Sequence, residues 1–239
     1  MEKYLKIFSI ISVLFLASCS MMDCEEGTGD IVSKEMEIGE FTDLKVSGEF
    51  EIILNQSDKY ECKVSTYENL MDLIEVRNAG RAIEIKTKSC VSTKKRIKVY
   101  VTAPQIALID ISGACSIKND ELFEFKDLEI DGSGACNLDL NLDANSISMD
   151  LSGASEVFLK GTAAELTCEV TGAGKIKAFD LKTLDADIKI SGAGDCDVNV
   201  KNNLYARVSG AGNVNYRGNP EKVDSKISGA GNISKSDNM

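Results

Sequence analysis

Apolar and polar residues alternate along most of the chain, in short runs that return at a nearly constant interval. In the stretch VSGAGNVNY at 208–216, Val208 and Val214 flank Ser-Gly-Ala-Gly and the polar Asn213. Seven such motifs occur, and their first glycines are Gly113, Gly134, Gly153, Gly172, Gly192, Gly210 and Gly229. The intervals between these glycines are 21, 19, 19, 20, 18 and 19 residues. A repeat at a fixed short period predicts a solenoid.

The columns of the repeat indicate which kind of solenoid forms. Positions two before and four after the first glycine are almost always aliphatic, and the position three after it is always polar. Alternation with period two is typical of a strand with one buried face. About 19 residues are too few for the paired helices of tetratricopeptide or ankyrin units, and the leucine framework of leucine-rich repeats is missing. We therefore predict a right-handed parallel β-helix of about 19–20 residues per turn, taking the hand from the rule for parallel crossovers.

We interpret the repeated glycines as structural, facing inward where the strand bends and the opposite wall approaches. A phosphate-binding loop is excluded, because each motif leads into another strand pattern and not into a helix. Serine or threonine precedes the first glycine in every copy and forms a candidate surface ladder. This ladder either packs the corner only or binds a regular surface, and it comprises Ser112, Ser133, Ser152, Thr171, Ser191, Ser209 and Ser228.

Residues 31–110 follow the pattern more loosely. The segment 44–54 resembles a first coil with Gly48, and the 65 residues from Gly48 to Gly113 correspond to about three turns. Strands are predicted at 60–66, 82–87 and 96–101, with a short helical turn over 67–74. We expect this region to cap or begin the tube, since an open end exposes unpaired strand edges. At the other end, polar residues 235–238 or a partner are candidates to cover the edge.

The N-terminus has the pattern of an export signal. Two lysines precede an apolar run over 7–16, which is too short to span a bilayer and is followed by Leu-Ala-Ser-Cys. This stretch resembles a bacterial lipobox, which implies a signal peptide over 1–18, lipidation of Cys19 and a membrane partner through the lipid anchor. Residues 19–30 are then an acidic linker, and an uncleaved anchor is the alternative.

Composition excludes several classes of function. The chain has no histidine, which removes the commonest general base and metal ligand. A net charge of −11 argues against a nucleic-acid partner. Carboxylate pairs such as Asp185 with Asp187 and Asp195 with Asp197 do not recur in neighbouring turns. We therefore predict no catalytic residues, no metal and no cofactor; a polysaccharide-active enzyme is the alternative.

Eight cysteines leave the thiol chemistry open. Cys168 and Cys196 occupy aliphatic columns and are expected to be buried. Cys115 and Cys136 lie in one column of successive turns, but parallel in-register side chains disfavour a disulfide between them. The sequence also leaves open a Cys62–Cys90 disulfide and does not assign the state of Cys24.

The segments FTDLKVSG (41–48), YECKVSTYENLMDLIEV (60–76) and KVYVTAPQIALIDISGA (98–114), with the tandem motifs, resemble the putative auto-transporter adhesin, head GIN domain family of Bacteroidetes-like lipoproteins. The resemblance implies one domain over 31–236, with irregular first coils over 31–110 and regular repeats over 111–234. Ser20, directly after the lipobox cysteine, resembles the signal that sends lipoproteins to an outer membrane, so we expect an outer-membrane lipoprotein that faces the periplasm or the cell surface. We expect a non-enzymatic, adhesin-like protein that binds a glycan or a protein surface of the envelope or host; a purely structural role is a further alternative.

Overall fold

A computed structural model describes residues 24–236 of the chain. The predicted signal peptide, Cys19 and the first part of the acidic linker lie outside these described residues. The fold is the predicted parallel β-solenoid, with about seven turns, 73% strand and 3% helix. No helix within 24–236 is long and apolar enough to span a membrane.

Between residues 24 and 107 the chain forms nine strands and a 3₁₀ helix over Glu68–Leu73, where the helical turn was predicted. The strands are β1 (Glu25–Glu26), β2 (Ile31–Met36), β3 (Asp43–Gly48), β4 (Phe50–Gln56), β5 (Glu61–Tyr67), β6 (Ile74–Ala79), β7 (Ala82–Thr87), β8 (Val91–Ser92) and β9 (Ile97–Ala103).

The regular part contains ten strands that continue around the turns of the solenoid. They are β10 (Leu108–Gly113), β11 (Ser116–Lys118), β12 (Phe123–Gly134), β13 (Asn137–Gly153), β14 (Glu156–Gly172), β15 (Lys175–Gly192), β16 (Asp195–Gly210), β17 (Asn213–Arg217), β18 (Lys222–Gly229) and β19 (Asn232–Lys235). Neighbouring turns pair in parallel, with the repeated motifs in register. Strands as long as 18 residues form because pairing with the neighbouring turns continues around the corners, apart from register shifts in β15 between residues 177 and 185.

The N-terminal coils stack in an order that the spacing did not predict. Strand β3 pairs in parallel with both β10 and β7, so Gly113 lies directly beside Gly48. The expected three turns between these glycines are therefore wrong. The intervening chain instead forms the first coil from β7 and β9, and antiparallel pairs of β2 with β5, β5 with β9 and β6 with β7 cover that end.

The interior is filled by the aliphatic columns that the repeat predicted. The column four residues after each first glycine is buried in six turns and half-buried in the last: Ile117, Leu138, Val157, Ile176, Cys196, Val214 and Ile233. A second column, which includes Cys168, is buried in register with Met149 and Ile188. Most of these buried side chains are small or branched, and the buried phenylalanines Phe41, Phe50, Phe123 and Phe125 all lie in the first coils and the start of the regular turns.

The first glycines do not face inward as expected. They lie at the corner, half-buried or exposed, with φ between 100° and 135°. At each corner the following alanine N–H donates to the carbonyl of the corresponding glycine one turn earlier, at 2.8–3.0 Å. A β-carbon on Gly113 would lie 2.7 Å from the Gly48 oxygen. Glycine is needed because the backbone is left-handed there and the adjacent turn is too close for a side chain.

The structure contains one disulfide within 24–236, between Cys24 and Cys90. The Cys62–Cys90 alternative is therefore wrong, because β1 beside β8 brings Cys24 to Cys90 while Cys62 is buried inside the cap. Cys115 and Cys136 are free and buried. Burial raises the pKa of Cys62 to about 12 and that of Cys115 to about 11, so both thiols stay protonated and unreactive at neutral pH.

Candidate binding surfaces

The serine ladder lies on the outer surface of the solenoid, where the parallel register aligns its seven hydroxyls one per turn. Ser112 is half-buried and the other six members are exposed. Ser112 donates to Ser47 Oγ at 2.9 Å, and Ser133 and Ser152 donate to backbone carbonyls of the preceding turn. Within 24–236, the other four hydroxyls have no hydrogen-bond partner. The ladder thus contributes to corner packing at its N-terminal end and presents free hydroxyls at its C-terminal end.

A second outward column lies two residues before each member of the serine ladder, and the charge of its side chains changes from negative to positive along the solenoid. Its residues in register are Asp110, Asp131, Asp150, Glu169, Lys189, Arg207 and Lys226. Partial burial raises the pKa of Asp131, and the carboxylates of Glu129, Asp110 and Asp150 raise it further. The acidic half therefore contains like charges stacked at the strand spacing of about 4.8 Å.

No three acidic or cysteine side chains within 24–236 converge in a geometry that would hold a metal ion.

The carboxylate pairs found in the sequence form ladders between turns. Asn213 donates to Asp195 at 2.7 Å and Asn215 to Asp197 at 2.9 Å. Asp185 accepts from Asn203, and Asp187 lies 3.5 Å from Arg207. Each carboxylate therefore has a neighbour in the next turn, and the geometry explains these pairs as stacking partners along the outer wall.

A groove on the outer wall, beside the strand segments that follow the repeated motif, contains two aromatic rings that were not predicted from the sequence. Phe158 is 41% exposed, and the Lys177 ammonium lies 4.3 Å from its ring centroid and 2.8 Å from Glu156 Oε1. Phe179 is half-buried, with the Arg217 guanidinium 4.0 Å from its ring centroid. A cation–π contact therefore favours the observed orientation of each ring. We call this site the phenylalanine groove.

The lining of the phenylalanine groove balances charges of both signs around these rings. It consists of the carboxylates Asp139, Asp180 and Asp197 and the cations Lys160, Lys177 and Arg217, beside Phe158, Leu159 and Phe179. Its volume is about 420 Å³, within the range of small-ligand sites. The Arg217 Nε is buried with no hydrogen-bond partner among the described residues, so the groove wall contains an unused donor.

A β-bulge brings Phe179 into the groove. The register between β14 and β15 shifts between Phe158 and Lys160, and β15 has one residue more than β14 at this point. A bulge adds one residue to a strand and redirects the side chains around it. The sequence contained a signal for it, because the interval from Gly172 to Gly192 is 20 residues and not 19.

The chain matches the model of the family described as putative auto-transporter adhesin, head GIN domain, over residues 40–220. It therefore belongs to this family, as the sequence motifs suggested. No curated protein matches the chain.

Solved structures from Bacteroidetes have the same fold. A putative adhesin from Bacteroides fragilis is 22% identical, with a TM-score of 0.84 over 88% of this chain and 99% of that one. A putative adhesin from Parabacteroides distasonis is 26% identical, with a TM-score of 0.73 over 90% and 100%. A putative lipid binding protein from the same organism is 22% identical, with a TM-score of 0.73 over 89% and 99%.

Proposed function

We propose that the protein is an exported envelope lipoprotein, anchored through Cys19, that binds glycans without catalysis through the phenylalanine groove. The observation that carries the glycan assignment is the exposed Phe158 ring, which lies beside carboxylates and cations on the β-face of the solenoid. A sugar ring has apolar C–H faces and a rim of hydroxyls. Aromatic rings bind such faces, while carboxylates and cations accept and donate hydrogen bonds to the rim.

The charge balance of the groove favours a neutral glycan. Three carboxylates face three cations, so a strongly anionic or cationic ligand would meet as much repulsion as attraction. The family name supports an adhesin-like role at the envelope, and the lipobox supports attachment to the outer membrane. The serine ladder lies on a separate outer column and offers further hydroxyls to an extended ligand.

A glycan array with the Phe158→Ala variant tests the groove. We expect neutral glycans to bind and the variant to weaken binding about tenfold, the equivalent of one aromatic stacking contact. Leu122→Ala is the matched control, because Leu122 is also exposed, at 50%, but does not line the groove. Equal loss in both variants, or binding confined to acidic polymers, would contradict this site.

Two cell experiments test the rest of the proposal. Cys19→Ala should release the protein from the membrane fraction, and retention there would contradict lipid anchoring. Protease treatment of intact cells should digest a surface-exposed solenoid, whereas complete protection would place it in the periplasm and remove the adhesin role. Turnover of a bound polysaccharide would support the alternative of an enzyme, and absence of any ligand would leave a structural role.

A further inference from the structure

The two ends of the solenoid differ in how they are covered. Antiparallel strands and the 3₁₀ helix cover the N-terminal end. At the other end, β18 pairs with β16 on one side, and no strand within 24–236 pairs with its outer edge. A free strand edge exposes a row of backbone hydrogen-bonding groups and is a template for another strand.

The last coil keeps its inward apolar pattern although nothing described packs over it. Val223 and Ile227 are 41% and 44% exposed, whereas their partners in the preceding turn, Leu204 and Val208, are 0% and 2% exposed. All residues of β18 are exposed. The end therefore combines an unpaired edge with apolar side chains aligned for burial.

We infer that this end pairs with the same end of a second copy, forming a two-fold dimer in which two β18 strands lie antiparallel. With the axis at Ser225, Val223 faces Ile227 of the second copy, and Asp224 faces Lys226. Each pairing occurs twice, as a two-fold interface requires. Opposite charges and apolar residues that face each other across antiparallel strands stabilise the pair.

The register is selective for this axis. Shifting the axis to Asp224 places Asp224 opposite itself and Lys222 opposite Lys226. Shifting it to Lys226 places that lysine opposite itself. Shifting it to Val223 moves Ile227 opposite Asn219, which lies before the strand begins. Only the axis at Ser225 matches charges and apolar side chains over residues 222–228.

The basic half of the outward column beside the serine ladder gives a second electrostatic reason why a second copy of the chain binds at this end. Lys226 stacks on Arg207, which stacks on Lys189, so like charges accumulate toward the open end. Asp224 of the second copy would lie beside Lys226 and offset this repulsion. The dimer surface is distinct from the phenylalanine groove, so this inference does not depend on the proposed function.

Cross-linking in the full chain tests the register. Ser225→Cys should give a disulfide-linked dimer on a non-reducing gel, since a residue on the axis lies about 4.5–5.5 Å (Cα to Cα) from its copy. Ser228→Cys is the matched control on the same exposed strand. Its copy would be six residues along the pair, about 20 Å away, so no dimer should form.

Charge exchange tests the pairing in sedimentation experiments. Asp224→Lys and Lys226→Asp should each weaken dimerisation about tenfold or more, and the double exchange should restore it. These residues are exposed, so thermal unfolding should show that each variant folds. A monomeric chain, equal cross-linking at 225 and 228, association unaffected by Asp224→Lys, or a cross-link to a different protein would each overturn the inference.

Discussion

Replacing Gly192 with alanine tests whether the corner glycines are needed because adjacent turns approach so closely. Gly192 has φ +135°, and an added β-carbon would collide with the Gly172 carbonyl oxygen. Backbone strain of this kind costs about 1–3 kcal/mol. Overpacking against a neighbour that cannot move adds about 1–3 kcal/mol. We therefore expect Gly192→Ala to lower the free energy of unfolding by about 2–6 kcal/mol.

Two other glycines separate these effects. Gly80 has φ +64° with nothing within 4 Å of an added β-carbon, so Gly80→Ala carries conformational strain alone, about 1–2 kcal/mol. Gly39 lies outside the positive-φ region and its nearest contact would be 3.8 Å, so Gly39→Ala should be close to neutral. Denaturant unfolding of the three variants measures the differences. If Gly192→Ala and Gly80→Ala cost the same, contact between turns is not the reason for glycine at the corners.

Three further substitutions test the cap, the acidic column and a buried amide. Cys90→Ser should lower stability by about 2–4 kcal/mol by opening the loop to Cys24, and added reductant should then have no further effect on its melting temperature. Asp131→Asn should raise stability at neutral pH by about 0.2–1 kcal/mol. This gain should vanish in acid. The pKa of Asp131 is raised in the native state, so Asp131 becomes protonated as the pH falls and its repulsion with the neighbouring carboxylates disappears without the substitution. A gain that stays constant with pH would contradict this cause. Asn119→Asp should cost about 1–3 kcal/mol in urea unfolding, because it removes the amide donors to the Glu121 and Asn141 carbonyls; an unchanged midpoint would contradict that role.

The regular turns could be predicted from the sequence because one physical rule is repeated in each. Alternation assigns Ile117 and its column to the interior, and the fixed period aligns each column with the next turn. The first coils could not be placed in the same way. The chain leaves β4, forms antiparallel strands and returns so that β10 lies beside β3, and no local pattern specifies that long-range pairing.

The alternation of apolar and polar residues could not predict the orientation of the first glycines either. Parity places Gly210 on the same side as Val208, and that parity led to the expectation of an inward glycine. A positive φ at the corner interrupts the alternation, so Gly210 is half-buried while Gly212 returns to the interior. Side-chain periodicity describes extended backbone only, and the backbone at the corner that carries the first glycine is not extended.

The phenylalanine groove and the open end of the solenoid both contain apolar side chains that the turns of the solenoid do not bury. Phe158 occupies an outward column whose neighbours in register, Asp139 and Lys177, are charged, so an exposed ring there has no role in packing the tube. Val223 and Ile227 follow the interior pattern where no further described turn covers them. A solenoid gains stability from any aliphatic residue in an inward column that is covered, and from none in an outward or uncovered position. Packing of the tube therefore does not explain Phe158, Val223 and Ile227, whereas a ligand or a second copy of the chain would cover them.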